Sequence, residues 1–144
     1  MKNRPSRDES MMILARGIAV RSTCPRRDTG CVLTDSYGRI LSVGHNGVPR
    51  GQPHCIDEPC AGADEPSGYH LDRCMAVHAE MNALLFCKDI MQVHTCYTTA
   101  SPCMSCIKVL LQSSCKYIIF DELYDTESLN LWNSADRHYI KMRI

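Results

Sequence analysis

The chain has 144 residues, 44% hydrophobic and 22% charged, an ordinary globular balance with length enough for one domain (1–144) and a sizeable core. Formal net charge is zero and the longest basic run is Arg26-Arg27, which argues against a general nucleic-acid binder and towards a small ligand. No stretch nears the roughly 18 apolar residues of a membrane span, and Met1 to Glu9 leads into a helical pattern and not a cleavable apolar core, so the cytosol is the expected compartment.

Residues 8–22 read as a first helix, with Met11, Met12, Leu14, Ala15, Ile18 and Ala19 on one face and Asp8 and Glu9 near its start. Residues 31–35 and 39–43 read as two strands joined by Ser36-Tyr37-Gly38, and Gly44-His45-Asn46-Gly47 breaks the second. An aperiodic, Pro- and Gly-rich insert follows at about 48–77. Residues 78–88 read as a second helix, with Met81, Ala83, Leu84 and Leu85 available for packing. A strand at 93–99, a helix at 103–113 opened by Pro102, a strand at 116–120, a helix at 126–135 and a strand at 138–143 complete the order αββαβαβαβ. A hairpin followed by βα crossovers predicts a mixed five-stranded sheet with helices on both faces, an α/β/α sandwich of three layers.

Ten cysteines without a secretory signal point to metal binding in a reducing compartment more than to a disulfide framework. Cys31, Cys87, Cys96 and Cys115 lie in apolar stretches and read as small buried hydrophobes. The chemistry lies in His78-Ala79-Glu80 and Pro102-Cys103-Met104-Ser105-Cys106, with 24 residues between His78 and Cys103. One imidazole and two thiolates are three zinc ligands. A catalytic zinc keeps its fourth position for water, whereas a structural one would need a fourth protein ligand. The three-residue spacing puts both sulfurs on one helix face, and two thiolates balance the charge of the zinc. Glu80 is then left to move protons between a metal-activated water and a substrate.

His-x-Glu followed by Pro-Cys-x-x-Cys is the signature of zinc nucleobase deaminases. With Thr29-Gly30-Cys31, Gly44-His45-Asn46-Gly47-Val48-Pro49, His54-Cys55 and His78-Ala79-Glu80-Met81-Asn82-Ala83, the chain resembles the deoxycytidylate deaminase family of the cytidine deaminase superfamily over nearly all of residues 8–143. The resemblance implies a cytidine-deaminase-like sandwich that converts dCMP to dUMP and ammonia and supplies dTMP synthesis. It also implies a homohexamer activated by dCTP with magnesium and inhibited by dTTP. Gly44, His45, Asn46 and Gly47 resemble the family's effector-site loop, with His45 where an aromatic residue is common; Arg50 and Phe86 join that site, although Phe86 equally suits plain core. Asn46, Ala79, Ser101 and Arg26 are the implied substrate contacts. Asn46 could instead serve the effector or simply occupy a turn beside Gly47. Arg27, Arg50 and Arg73 share with Arg26 the capacity to meet a phosphate. Cys24, Cys55, His70 and Cys74 stand where relatives carry a second, structural zinc, with His54 and Cys60 as competitors. Trp132 and Tyr139 read as packing or interface. The alternatives are a deaminase of another small cytosine or pterin-like substrate, a nucleic-acid deaminase, and a zinc protein that binds nucleotides without turnover.

Overall fold

Ser6 starts the first helix by accepting the Glu9 N–H at 3.1 Å, and α1 (Arg7–Ala19) carries Asp8 and Glu9 at its electropositive end. This computed structural model describes residues 3–59, 66 and 75–144. Strands β1 (Gly30–Thr34) and β2 (Ile40–His45) form a hairpin. Its turn is set by the Asp35 carboxylate, which accepts the N–H groups of Tyr37 and Arg39. Gly38 takes the positive φ of +81° that the turn requires. Then come α2 (Ala79–Leu85), a short 3-10 turn (Ile90–Gln92), β3 (Thr95–Ala100), α3 (Met104–Leu111), β4 (Tyr117–Glu122), α4 (Thr126–Ser134) and β5 (His138–Lys141).

The five strands make one sheet in the order β2-β1-β3-β4-β5. β1 is antiparallel to both β2 and β3, while β3, β4 and β5 run parallel. This is the mixed sheet expected from the element order. Every residue of β1 and β3 is buried, as strands covered on both faces must be. Cys31, Leu33, Cys96, Ile118 and Phe120 face a core shared with Ala83 and Leu84 of α2, Ile107 and Leu110 of α3, and Leu129 and Trp132 of α4. Val32, Tyr97 and Ile119 point the other way, onto Met12 and Ala15 of α1. Among the described residues, the sandwich therefore has three α-helices on one face and one on the other. Cys31, Cys96 and Cys115 are buried in it, as their apolar settings suggested, whereas Cys87, just past the end of α2, is only partly buried.

Two glycines allow this close layering. A Cβ on Gly30 would stand 1.9 Å from the Ala15 carbonyl oxygen of α1. One on Gly44 would stand 2.5 Å from the Ala79 oxygen and 2.6 Å from the Ala83 nitrogen of α2. A third device holds the far end of α3. The Arg137 guanidinium donates to the carbonyls of Leu110, Leu111, Ser113 and Cys115 and lies over the Trp132 ring. These carbonyls include ones that the helix end leaves without partners, and a cation there also suits the helix dipole. Trp132 itself donates its indole N–H to the His138 carbonyl at 2.7 Å.

Three expectations change in detail. The second helix stops at Leu85, short of 88, and Leu85 and Phe86 are 72% and 66% exposed. Ala79, Glu80, Ala83 and Leu84 form its inward face, so the next position rotates away from the sheet. Phe86 is thus not core. All four residues of β5 are exposed, because it is the outer strand of the sheet. The insert is closed at its base by Gly47 and Val77, which exchange backbone hydrogen bonds of 3.1 and 2.7 Å. Farther along it, the Ile56 N–H donates to the Thr23 carbonyl. Cys60, His70, Arg73 and Cys74 lie outside the described residues. Among the described residues, no helix is long and apolar enough to cross a membrane.

Candidate active site

His78 is the N-cap of α2, and Cys103 is the N-cap of α3 with Cys106 in that helix's first turn. β3 lies between the two helices in the chain and delivers α3 beside α2. The His78 Nδ1 is 3.3 Å from both the Cys103 and the Cys106 sulfur. The three donor atoms all lie within 4.8 Å of one another, the only such His/Cys/acid group among the described residues. An imidazole and two thiols at this spacing fit a tetrahedral metal with one position open to solvent chemistry.

The electrostatics of the trio agree with that use. The Cys103 thiol is pulled down to about 4, first by the hydrogen bond from Cys106 and then by that from His78. His78 is raised by its bond to Cys103. Cys106 is raised because it donates to Cys103 and is buried. The site thus holds a thiolate ready to bind a cation, with its proton donors clustered around it.

Glu80 sits one helical step further in and is only 4% exposed. Its Oε1 accepts a hydrogen bond from Thr98 Oγ1 at 3.0 Å. Glu80, His78 and Cys103 line a cleft together with Arg26, Arg27, Asn46, Ala79, Ser101 and Tyr124 among others. The four residues expected at the substrate, Asn46, Ala79, Ser101 and Arg26, therefore converge on one cavity.

Asn46 is 7% exposed, and its amide is already engaged. Its Oδ1 accepts the Thr29 N–H at 2.9 Å, and its Nδ2 donates to the Arg27 carbonyl at 2.8 Å. Ser101 is committed in a similar way: its Oγ accepts the Tyr124 N–H at 2.7 Å and the Asp125 N–H at 3.3 Å. Asn46 thus ties down the segment of Arg27 and Ser101 that of Tyr124, and the Arg27 guanidinium lies 4.0 Å from the centre of the Tyr124 ring. Burial raises the Tyr124 hydroxyl, which keeps the ring neutral.

The remaining candidates lie elsewhere. Gly44 is packed under α2, and the His45 carbonyl accepts from Asn82 Nδ2. Gly47 lies at the base of the insert, while Arg50 and Phe86 are exposed and do not line the cleft. Cys24 is buried at the cleft, and Cys55 is buried in the insert next to the Ile56–Thr23 hydrogen bond. Sequence reasoning passed over Tyr124 and Thr98. Tyr124 arrives on the loop after β4 with no motif to mark it. Thr98 did leave a signal, a hydroxyl between Cys96 and Ala100 on a strand face otherwise packed against helices.

A three-layer sandwich with an imidazole, two thiols and a buried glutamate at the starts of two neighbouring helices defines the cytidine-deaminase-like class. The family model described as the cytidine and deoxycytidylate deaminase zinc-binding region matches residues 5–122, and the chain belongs to that family. It is 33% identical over 136 residues to the deoxycytidylate deaminase of Saccharomyces cerevisiae, covering 92% of this chain and 43% of that protein. It is 35% identical over 127 residues to the deoxycytidylate deaminase of Mycobacterium phage D29, covering 82% of this chain and 96% of that one. The chain thus spans less than half the length of the yeast relative and nearly all of the phage one. The crystal structure of dCMP deaminase from the cyanophage S-TIM5 in apo form superposes with a TM-score of 0.76 at 25% identity, covering 97% of this chain and all of that one.

Proposed function

We propose that this protein is a zinc-dependent dCMP deaminase, producing dUMP and ammonia and so feeding dTMP synthesis. The observation that carries the reading is the placement of the buried Glu80 beside the His78, Cys103 and Cys106 donors, in a cleft walled by Arg26, Arg27 and Tyr124. A zinc ion held by those three residues would supply Lewis-acid activation of water at neutral pH. Glu80 accepts a proton from the attacking water and gives it to ring N3 of the cytosine, which makes C4 electrophilic. It then takes the second proton from the new hydroxyl at C4 and passes it to the amino group. The C4–N bond breaks, ammonia leaves and a carbonyl remains. The α2 backbone at Ala79 lies against the base, and the flat Tyr124 ring offers it an apolar wall. Arg26 and Arg27 are the cations on the cleft lining and take the phosphate. Asn46 meets the sugar edge while holding the loop that carries these arginines.

The same reading includes regulation by dCTP with magnesium and by dTTP through Gly44, His45, Asn46, Gly47, Arg50 and Phe86. The support is mechanical: Gly44 touches the α2 backbone at Ala79, next to His78, so a shift of that loop reaches the metal donors. The exposed Leu85 and Phe86 suit burial against another copy of the chain in a homohexamer. A structural zinc is assigned to Cys24, Cys55, His70 and Cys74. In support, Cys24 and Cys55 are buried, and the Ile56–Thr23 bond draws their segments together.

The test is ammonia release from dCMP by purified, zinc-loaded protein, alone, with dCTP and magnesium, and with dTTP. Turnover raised by dCTP and lowered by dTTP is the expected result. Turnover indifferent to both would remove the regulatory assignment. No turnover of dCMP beside turnover of cytidine or dCTP would overturn the substrate.

A further inference from the structure

Glu80 must keep one geometry while its proton load changes, and a carboxylate on a short side chain does not do this unaided. β3 places Thr98 next to it. Thr98 is wholly buried, with its Oγ1 3.0 Å from Glu80 Oε1 and 2.9 Å from the Ala100 carbonyl oxygen. Cys106 is the carboxylate's other polar neighbour, and as a metal donor it is not available to Glu80 in the loaded enzyme. A hydroxyl has one proton to give and two lone pairs to receive with. Facing a carboxylate, Thr98 donates to Oε1. The proton that Glu80 carries stays on the other oxygen, the one turned to the cleft, so Oε1 remains an acceptor and Thr98 goes on donating to it. No heavy atom has to move between the two states.

We propose that Thr98 is a positioning residue for the deamination, holding one oxygen of Glu80 so that the other stays aimed into the cleft through both proton transfers. This rests on the role given to Glu80 above and extends it to a residue that touches neither substrate nor metal.

Thr98→Val replaces the hydroxyl with a methyl of nearly the same shape, and Thr98→Ser keeps it. In the full-length, zinc-loaded enzyme, Thr98→Val should lower kcat for dCMP by roughly 10- to 100-fold, as misplacing a catalytic group does. KM and zinc content should stay within about two-fold, because neither binding nor the metal donors are touched. Thr98→Ser should recover most of the lost kcat. Adding Thr98→Val to Glu80→Ala should lower the residual rate no further. Wild-type kcat in Thr98→Val beside an inert Glu80→Ala would overturn this inference and leave the proposed function standing. A loss that tracks zinc content, or that Thr98→Ser shares in full, would also overturn it by making the effect structural. Full turnover by Glu80→Ala would overturn both readings together.

Discussion

Glu80 and Cys103 do different work within one small volume, and substitution separates them. Glu80→Gln keeps size and hydrogen bonding but cannot carry the proton, so turnover should fall by about 100-fold or more with zinc content unchanged, measured as ammonia release beside metal analysis. Cys103→Ser removes the sulfur that both neighbours donate to, and zinc should be absent from the purified protein. Asn46→Ala leaves the Thr29 N–H and the Arg27 carbonyl without their partners, so we expect a loss of about 1–3 kcal/mol in denaturant unfolding together with a raised KM. These residues were not equally legible in the sequence. His78, Glu80, Cys103 and Cys106 show because metal geometry imposes short spacings, two and three residues, on a helix start. The engagements of Asn46 and Ser101 do not show. Each ties a side chain to backbone far along the chain, and such a bond is visible only once the sheet has brought the two loops together.

At the level of elements, the site depends on how closely α2 lies on the hairpin. Gly44→Ala would drive a methyl into the Ala79 and Ala83 backbone, and helix backbone cannot yield as a side-chain tip would. We expect about 1–3 kcal/mol of destabilisation and reduced zinc loading, since His78 moves with its helix; calorimetry and metal content check the two parts. The other anchor is Arg137. Arg137→Ala removes a donor from four carbonyls near the end of α3, of which Leu110 keeps the N–H and hydroxyl of Ser113, and uncovers the Trp132 face, which should cost about 2–3 kcal/mol. Turnover per folded molecule should be unchanged, because α3 meets the metal at its opposite end. The sequence pattern found every one of these elements to within a few residues. It misjudged the last turn of α2, where three consecutive apolar residues, Leu84, Leu85 and Phe86, conceal that only the first faces the sheet.

On the scale of the whole molecule, α1 is the one helix on its face of the sheet among the described residues, and the Tyr97–Asp8 hydrogen bond fastens it there at 2.5 Å. Burial, then the bond to Asp8, raises the Tyr97 phenol above its ordinary 10.0. The folded state therefore holds that proton more tightly than the unfolded chain does. Its contribution is complete below about pH 10 and is lost as pH climbs above it. The melting temperature should fall in that alkaline range, and Tyr97→Phe should flatten the fall. The layered architecture itself was legible from the alternation of strand and helix patterns. The strand order was not, because adjacency across the sheet is decided by which edges remain open once the hairpin has formed.

That order has a kinetic consequence. β1 sits between its hairpin neighbour and β3, so Cys31 must find Thr98 before the central pairing exists. The hairpin is a local event, whereas this second pairing waits on closure of a long stretch of chain, a step that slows folding. His78 belongs to the stretch being closed, and Cys103 follows directly after the strand that closes it. On a ribosome, the metal donors cannot meet until α3 has emerged, so the centre they form would assemble well after the hairpin.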